Sequence, residues 1–385
     1  GGIGPWGHGR VVGVRVSFRR MGSRGARGTA AQLAAQLAVE GLRRLVGAGL
    51  TVDQVFRRAD GLMRGVLGYD AVCWHTADPA TGLVTSVLSD DLSLEGFENA
   101  VRLEVWAQDV ATFPAIRRSG VRAETLSRAT RGRPAESARF REQIGPAGFG
   151  DELRAVFDAH GGMWGCAAFM RAADRGPFLA QQREFADLAA RQLGHVLRAC
   201  HVPSVGAGPG GTAEQGPTVV VLGRGNRPVA ISGPAEELLG RLADPSRTSL
   251  RLPTAFVMAA EQARRAAHGL PVPQSKIRVR DRGGQWYVLH GSVLKGGAED
   301  QVTVVAAPAT PADAMPLHLA AYGLTAREQE VALLLVRGCD TRDVSRLLVM
   351  KPYTVQDHLK SVFAKAGVAS RRELVARIML GGGVS

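Results

Sequence analysis

Residues 350–368 read MKPYTVQDHLKSVFAKAGV and concentrate side chains that make hydrogen bonds to planar partners and to anions. The chain has five lysines against 43 arginines, and three of the five, Lys351, Lys360 and Lys365, fall in this stretch. Gln356 can pair with an adenine edge, Asp357 can accept from cytosine, and Tyr353 offers an apolar surface to a thymine methyl group. Lys360 can reach a phosphate or a guanine, and Lys351 and Lys365, near the two ends, suit backbone phosphates. The partner that these groups fit together is double-stranded DNA.

These residues need a helix to share a face. Pro352 suits a first helical position, where its missing N–H costs nothing, and Gly367 suits the end. Val355, Leu359, Val362 and Ala366 recur at helical spacing and should face a core, which turns Tyr353, Gln356, Asp357 and Lys360 outward. The neighbouring sequence repeats one starting device. Thr325 with Glu328, Asp340 with Asp343, and Ser370 with Glu373 each place a capping residue three positions ahead of an acid. Gly338 ends the first of these helices. Four short helices with short connections predict an all-α helix-turn-helix module. On its last helix, Leu374, Val375 and Ile378 form an apolar stripe suited to pairing two subunits into a homodimer.

The segments LTAREQEVALLLVRG, RDVSRLL, TVQDHLKSVFAKAGV and SRRELV strongly resemble the LuxR-type DNA-binding domain over about 60 residues. The resemblance implies a third helix in the major groove, a fourth that helps pair subunits, and places Thr354 and His358 among the DNA-contacting residues. The family pattern is departed from in three places, one of them Gln356, where a basic residue is common. Asp340, Thr341, Arg342 and Asp343 stand where Ser-Asn-Lys-Glu is usual, which keeps the capping chemistry. Lys351 stands where a serine usually caps the reading helix, and a lysine is a poor cap beside the positive end of a helix dipole.

The rest of the chain must position this module. With 385 residues, two or three domains are expected. The net charge of +13 is concentrated at the ends, +6 over residues 1–28 and +4 over residues 316–385. Residues 1–28 are expected to be a disordered basic leader, and whether they belong to the native protein is open. A Gly-rich stretch at 205–216 and the proline-rich PATPADAMP at 308–316 read as linkers, the first flexible and the second stiff and extended. They leave blocks 29–203, 217–307 and 317–381. The first block opens on helical patterns at 30–46 and 52–67 and continues with a strand, turn and strand over 70–90. A helix near 95–110, strands at 152–158 and 163–171, and a helix near 179–199 complete it. This α+β order resembles a GAF domain, which implies a small-molecule sensor and dimerisation module. The second block reads ββ-αα-βββ, with TVVVL and PVAIS paired across GRGNR, and resembles a PAS domain. The expected class is therefore multidomain: α+β sensor domains ahead of a four-helix module.

Other chemistry is weakly supported. The GRG at 223–225 lies between strands and reads as a hairpin turn, and no GxxxxGK[ST] occurs. Cys73, His75, Cys200 and His201 lack a second close ligand pair, so no metal is expected. Asp90 and Asp91 follow a hairpin and read as a solvated loop. Trp74, Trp164 and His75 suit either a sensor pocket or an ordinary core. No catalytic residue and no cofactor is expected, and the chain does not read as an enzyme. Isolated cysteines without a CxxC pair fit a reduced cytoplasm, and no apolar run approaches a membrane span. The reading is a sequence-specific DNA-binding transcription regulator, a dimer whose sensor domains respond to a small molecule or partner. An acyl-homoserine-lactone-type receptor, a catalytic front domain and a ligand-free scaffold stay open as alternatives. The effector, the operator and the sign of regulation are not legible.

Overall fold

The computed structural model describes residues 24–92, 97–201, 216–242, 252–272, 276–296 and 300–379. Helices α1 (Arg24–Arg43) and α2 (Val52–Leu67) come first. Thr51 and Gln54 form a capping box at the start of α2, and Gly68 ends it in the left-handed region at φ 63. Strand β1 (Ala71–Thr76) is followed by α3 (Phe97–Trp106), α4 (Phe113–Ser119), β2 (Ala123–Thr125) and the short α5 (Leu126–Ala129). The long hairpin β3 (Phe149–Ala159) and β4 (Gly162–Ala172) leads into α6 (Ala180–His201). The sheet order is β1-β4-β3-β2, all antiparallel.

The strand expected after the first turn is only partly formed. Residues 84 and 88 make isolated bridges, Ala77 with Val84 and Trp74 with Leu88, along the outer edge of β1. Between them the Thr85 N–H donates to the Thr76 carbonyl at 2.9 Å, and the Thr76 hydroxyl bonds those of Thr85 and Ser86 at 2.7 and 2.6 Å. Asp90 and Asp91 are not simply solvated: Asp91 accepts from Arg64 at 2.6 Å and from the Val72 N–H at 3.1 Å, and Asp90 pairs with Arg57.

The second module runs β5 (Thr218–Leu222), β6 (Pro228–Ile231), α7 (Ala235–Leu242), α8 (Thr254–Ala267), β7 (Lys276–Arg280), β8 (Trp286–Val293) and β9 (Val302–Pro308). Its sheet order is β6-β5-β9-β8-β7. The turn between β5 and β6 is made by Gly225 and Asn226 at positive φ, 67 and 57. One close approach recurs in both modules. A Cβ on Gly194 of α6 would lie 2.5 Å from the Asp158 carbonyl oxygen, and one on Gly291 of β8 would lie 2.3 Å from that of Ala259 in α8. Each glycine lets a helix and a strand meet backbone to backbone.

The proline-rich stretch taken for an extended linker is largely helical: α9 spans Pro311–Ala321. Thr310 and Asp313 form its capping box, Pro311 occupies the tolerated first turn, and Pro316 sits inside. Then come α10 (Ala326–Val336), α11 (Thr341–Leu347), α12 (Pro352–Ala366) and α13 (Arg371–Met379). The expected leader overlaps α1 at residues 24–28; residues 1–23, and residues 202–215 of the first linker region, lie outside the described residues.

The blocks are not insulated from one another. One continuous apolar core includes Val101 and Phe113 of the first module with Phe256 and Leu289 of the second. Across that junction Trp106 Nε1 donates to Glu261 Oε2 at 2.7 Å, and the buried Asp78 accepts from the Arg278 N–H at 3.1 Å. The core on the other face of the first sheet reaches Ala320 and Ala321 of α9, and the Arg198 guanidinium donates to the Ala321 carbonyl.

Candidate nucleic-acid interface and upstream cavity

Helix α12 begins at Lys351, whose side chain makes no capping bond, and ends at Gly367 with φ 64. Val355, Leu359, Val362 and Ala366 are buried, all four of the positions expected to face inward. Around them, Met315 and Leu319 of α9 join Val331, Leu335 and Val344 in one core. The opposite face is open. Tyr353 is 74% exposed, and Lys351, Gln356, Asp357 and Lys360 are exposed too. Lys360 Nζ lies 3.8 Å from Asp357 Oδ1, with the lysine side chain 80% exposed, so this is a loose surface pair that leaves the ammonium available. Thr354 and His358 are half-buried at the edge of that face.

Lys365 is placed differently from its expected role. Its Nζ lies 2.6 Å from Glu328 Oε2 and 2.9 Å from Oε1. Glu328 also caps α10 through Thr325 and accepts from Ser361 Oγ at 2.6 Å. Burial pushes the Glu328 carboxyl up, but the Lys365 ammonium, the Ser361 hydroxyl and the Thr325 contacts outweigh it and hold the group at about 2. Lys365 therefore ties α12 to α10.

The stripe on α13 also faces inward. Leu374 and Ile378 are fully buried in the same module's core, and only Val375 of the three is partly exposed. A buried stripe inside one subunit cannot at the same time be a free pairing surface.

Sequence reasoning missed the turn between α11 and α12. Val349 is 91% exposed and adopts φ 52, a rare conformation for a β-branched residue. Arg327 donates to the Leu348 carbonyl, and the Met350 N–H donates to the Ser345 carbonyl at 2.9 Å, so the turn is held from both sides.

The first module holds a cavity of about 70 Å³. His75 lines it, as the pocket reading expects, but Trp74 and Trp164 belong to the core on the other face of the sheet. The polar lining is Arg139, Gln143, Glu152 and Arg154, none of them anticipated. Glu152 accepts from Arg139 Nε at 2.8 Å and from Arg154 Nε at 3.1 Å. Arg154 Nη1 donates to Glu104 at 2.6 Å. Burial raises the Glu152 carboxyl, but Arg139 and Arg154 more than reverse this and keep it below its ordinary value. Burial, with Arg154 nearby, lowers His75 to about 4, so its ring is neutral at pH 7. Cys73 also lines the cavity, whereas Cys200 and His201 lie at the end of α6, and among the described residues no three His, Cys, Asp or Glu side chains cluster as a metal site. No helix among the described residues is long and apolar enough to cross a membrane.

Residues 323–378 match the family model described as bacterial regulatory proteins, luxR family. A protein of Mycobacterium bovis, provisionally named as an HTH-type transcriptional regulator, is 44% identical over 52 residues, covering 14% of this chain and 6% of the relative. One of Mycobacterium tuberculosis with the same description is 42% identical over 52 residues with the same coverage. The chain thus spans a small part of the length of the curated relatives it matches. Among solved structures, a phage VqmA–DPO complex is 20% identical with a TM-score of 0.24, covering 43% of this chain and 82% of that one. SdiA in complex with octanoyl-rac-glycerol is 11% identical with a TM-score of 0.25, covering 95% and 100%. Scores this low do not establish a shared overall arrangement. The sequence match instead falls on α10 to α13, where the capped helices and the open face of α12 were found, and these helices are a luxR-family helix-turn-helix domain.

Proposed function

We propose that this protein is a sequence-specific transcription regulator that binds duplex DNA as a homodimer and whose two upstream modules, GAF-like and PAS-like, answer to a small molecule or partner. The observation that carries it is the division of α12 into a buried stripe, Val355, Leu359, Val362 and Ala366, and an open face bearing Lys351, Tyr353, Gln356, Asp357 and Lys360. A helix of this kind fits the major groove, with phosphates neutralised at its edge. Thr354 and His358 flank the reading face, while Lys365 acts by holding the helix in place.

The sensor reading draws support from topology. Both modules put their last strand beside their first, β4 beside β1 and β9 beside β5. The second keeps the expected ββ-αα-βββ order, and the first holds a cavity. Pairing of subunits is assigned to Val375 and surfaces of the upstream modules rather than to Leu374 and Ile378.

The deciding experiment selects duplexes from a random pool with the full chain, then measures binding and stoichiometry by fluorescence anisotropy and sedimentation. Enrichment of a two-fold symmetric sequence bound by two chains is expected. No enrichment, or binding of every duplex with equal affinity, would overturn the reading.

A further inference from the structure

Among the described residues, the cavity of the first module carries a polar group left without a hydrogen-bond partner. Gln143 is 6% exposed, lines the cavity, and has no hydrogen-bond partner for Nε2 among the described residues. A buried donor without an acceptor is costly and uncommon in native folds. Gln143 is presented by a π-turn, Phe140–Ile144, closed by the Gly145 N–H on the Phe140 carbonyl at 2.9 Å. Such turns recur at functional sites.

The charges around it are already used. Both Glu152 oxygens accept from arginines, Arg154 is also held by Glu104, and Arg139 by Asp109. An anion would have to pull a guanidinium from its carboxylate, and a cation would have to do the reverse; either is expensive away from water. The remaining wall is largely apolar, with Phe97, Ile144, Phe149 and Met170. A volume of about 70 Å³ is under half of the ~150 Å³ cavity that accepts benzene, which limits the occupant to a molecule smaller than benzene.

We propose that this cavity binds a compact, uncharged molecule with an apolar body and one acceptor oxygen, received by Gln143 Nε2. The proposal deepens the sensor reading above and rests on it. Once bound, the acceptor completes the hydrogen bonding of the amide, and the apolar body fills the space between sheet and α3.

The test uses the full chain and a matched pair of probes, butan-2-one and its hydrocarbon isostere 2-methylbut-1-ene, with propanoate and propylammonium as charged controls. Binding is read by NMR of methyl groups labelled at Met170 and Ile144. Butan-2-one is expected to shift both methyls saturably and to bind at least tenfold more tightly than the hydrocarbon, with neither ion binding. Gln143→Leu should fold, raise the melting temperature, and bring the ketone and the hydrocarbon within about twofold of each other. Gln143→Met provides a second variant of similar length. Equal binding of ketone and hydrocarbon by the parent, a preference that survives both variants, tighter binding of propanoate, or a cavity that takes water and no probe would each overturn the proposal. DNA binding is measured in the same samples. If the ketone binds but selected duplexes are not bound, the site stands and the regulator reading falls; if duplexes are bound and no probe enters, the reverse holds.

Discussion

Lys365 Nζ stands 2.6 Å from Glu328 Oε2, so the last turn of α12 is bound to the first turn of α10 by an ion pair. The Glu328 carboxyl is held at about 2, below its ordinary 4.5. A carboxyl depressed on folding stabilises fully above its unfolded pKa and loses that contribution as pH falls through the folded value. The module should therefore lose about 2 kcal/mol between roughly pH 5 and pH 2, allowing for the partly exposed lysine end. Glu328→Gln should remove most of that dependence. Thermal unfolding across this range checks it, and a Glu328→Gln protein with the parent's acid profile would contradict it.

Lys360 and Gln356 should separate affinity from specificity. Lys360→Ala should weaken binding to all duplexes nearly uniformly and reduce the salt slope by about one unit. Gln356→Ala should cost about 1–3 kcal/mol at one base pair and relax preference there. Titration against selected and scrambled duplexes at two salt concentrations reads both effects. If both variants bind like the parent, another surface reads the DNA.

Lys351 should show a trade between folding and binding. It occupies the N-cap of α12 without a side-chain bond. Lys351→Ser supplies the missing cap and should stabilise the module by about 0.5–1 kcal/mol, while removing a cation from the DNA-facing side. The expected result is a higher melting temperature with weaker binding at low salt.

Asp78 and Arg278 join the two upstream modules, with the aspartate side chain fully buried. Burial raises the Asp78 carboxyl, and Arg278 works against that rise. Arg278→Leu strands the acid and should cost about 3–5 kcal/mol. Adding Asp78→Asn should recover at least half, since the amide oxygen can still accept the backbone N–H of residue 278. Denaturant unfolding of the single and double variants measures the recovery.

The helices of the DNA-binding module were legible because capping and periodicity are local. Thr325, Asp340 and Ser370 each accept from the N–H three residues on, and the buried stripe of α12 follows from spacing alone. What the stripe on α13 faces is not local: the same three apolar residues would serve a partner or their own core. The ion pair of Lys365 with Glu328 was not legible for a similar reason, since its partner arrives from another helix. Helix α9 was legible in principle, because Thr310 and Asp313 repeat the device recognised further on, but the prolines dominated the reading. Glu152 and Arg154, two apart in a strand, share a face, and a charged pair inside an apolar run hinted at the polar wall of the cavity. Their partners Arg139 and Glu104 come from separate elements, which spacing does not reveal.

Between the end of β9 at Pro308 and the start of α9 at Pro311 lie only Ala309 and Thr310. A long flexible tether would let each reading head search for its half-site independently, at an effective concentration set by tether length. Here the head continues from the central strand of a sheet, with α9 seated in its core. In a dimer so constructed, the distance between half-sites becomes a property of the sensor modules, and the operator must match it. Inserting about five base pairs between half-sites, half a helical turn, would set the second site on the opposite face of the duplex, beyond the reach of a head without slack.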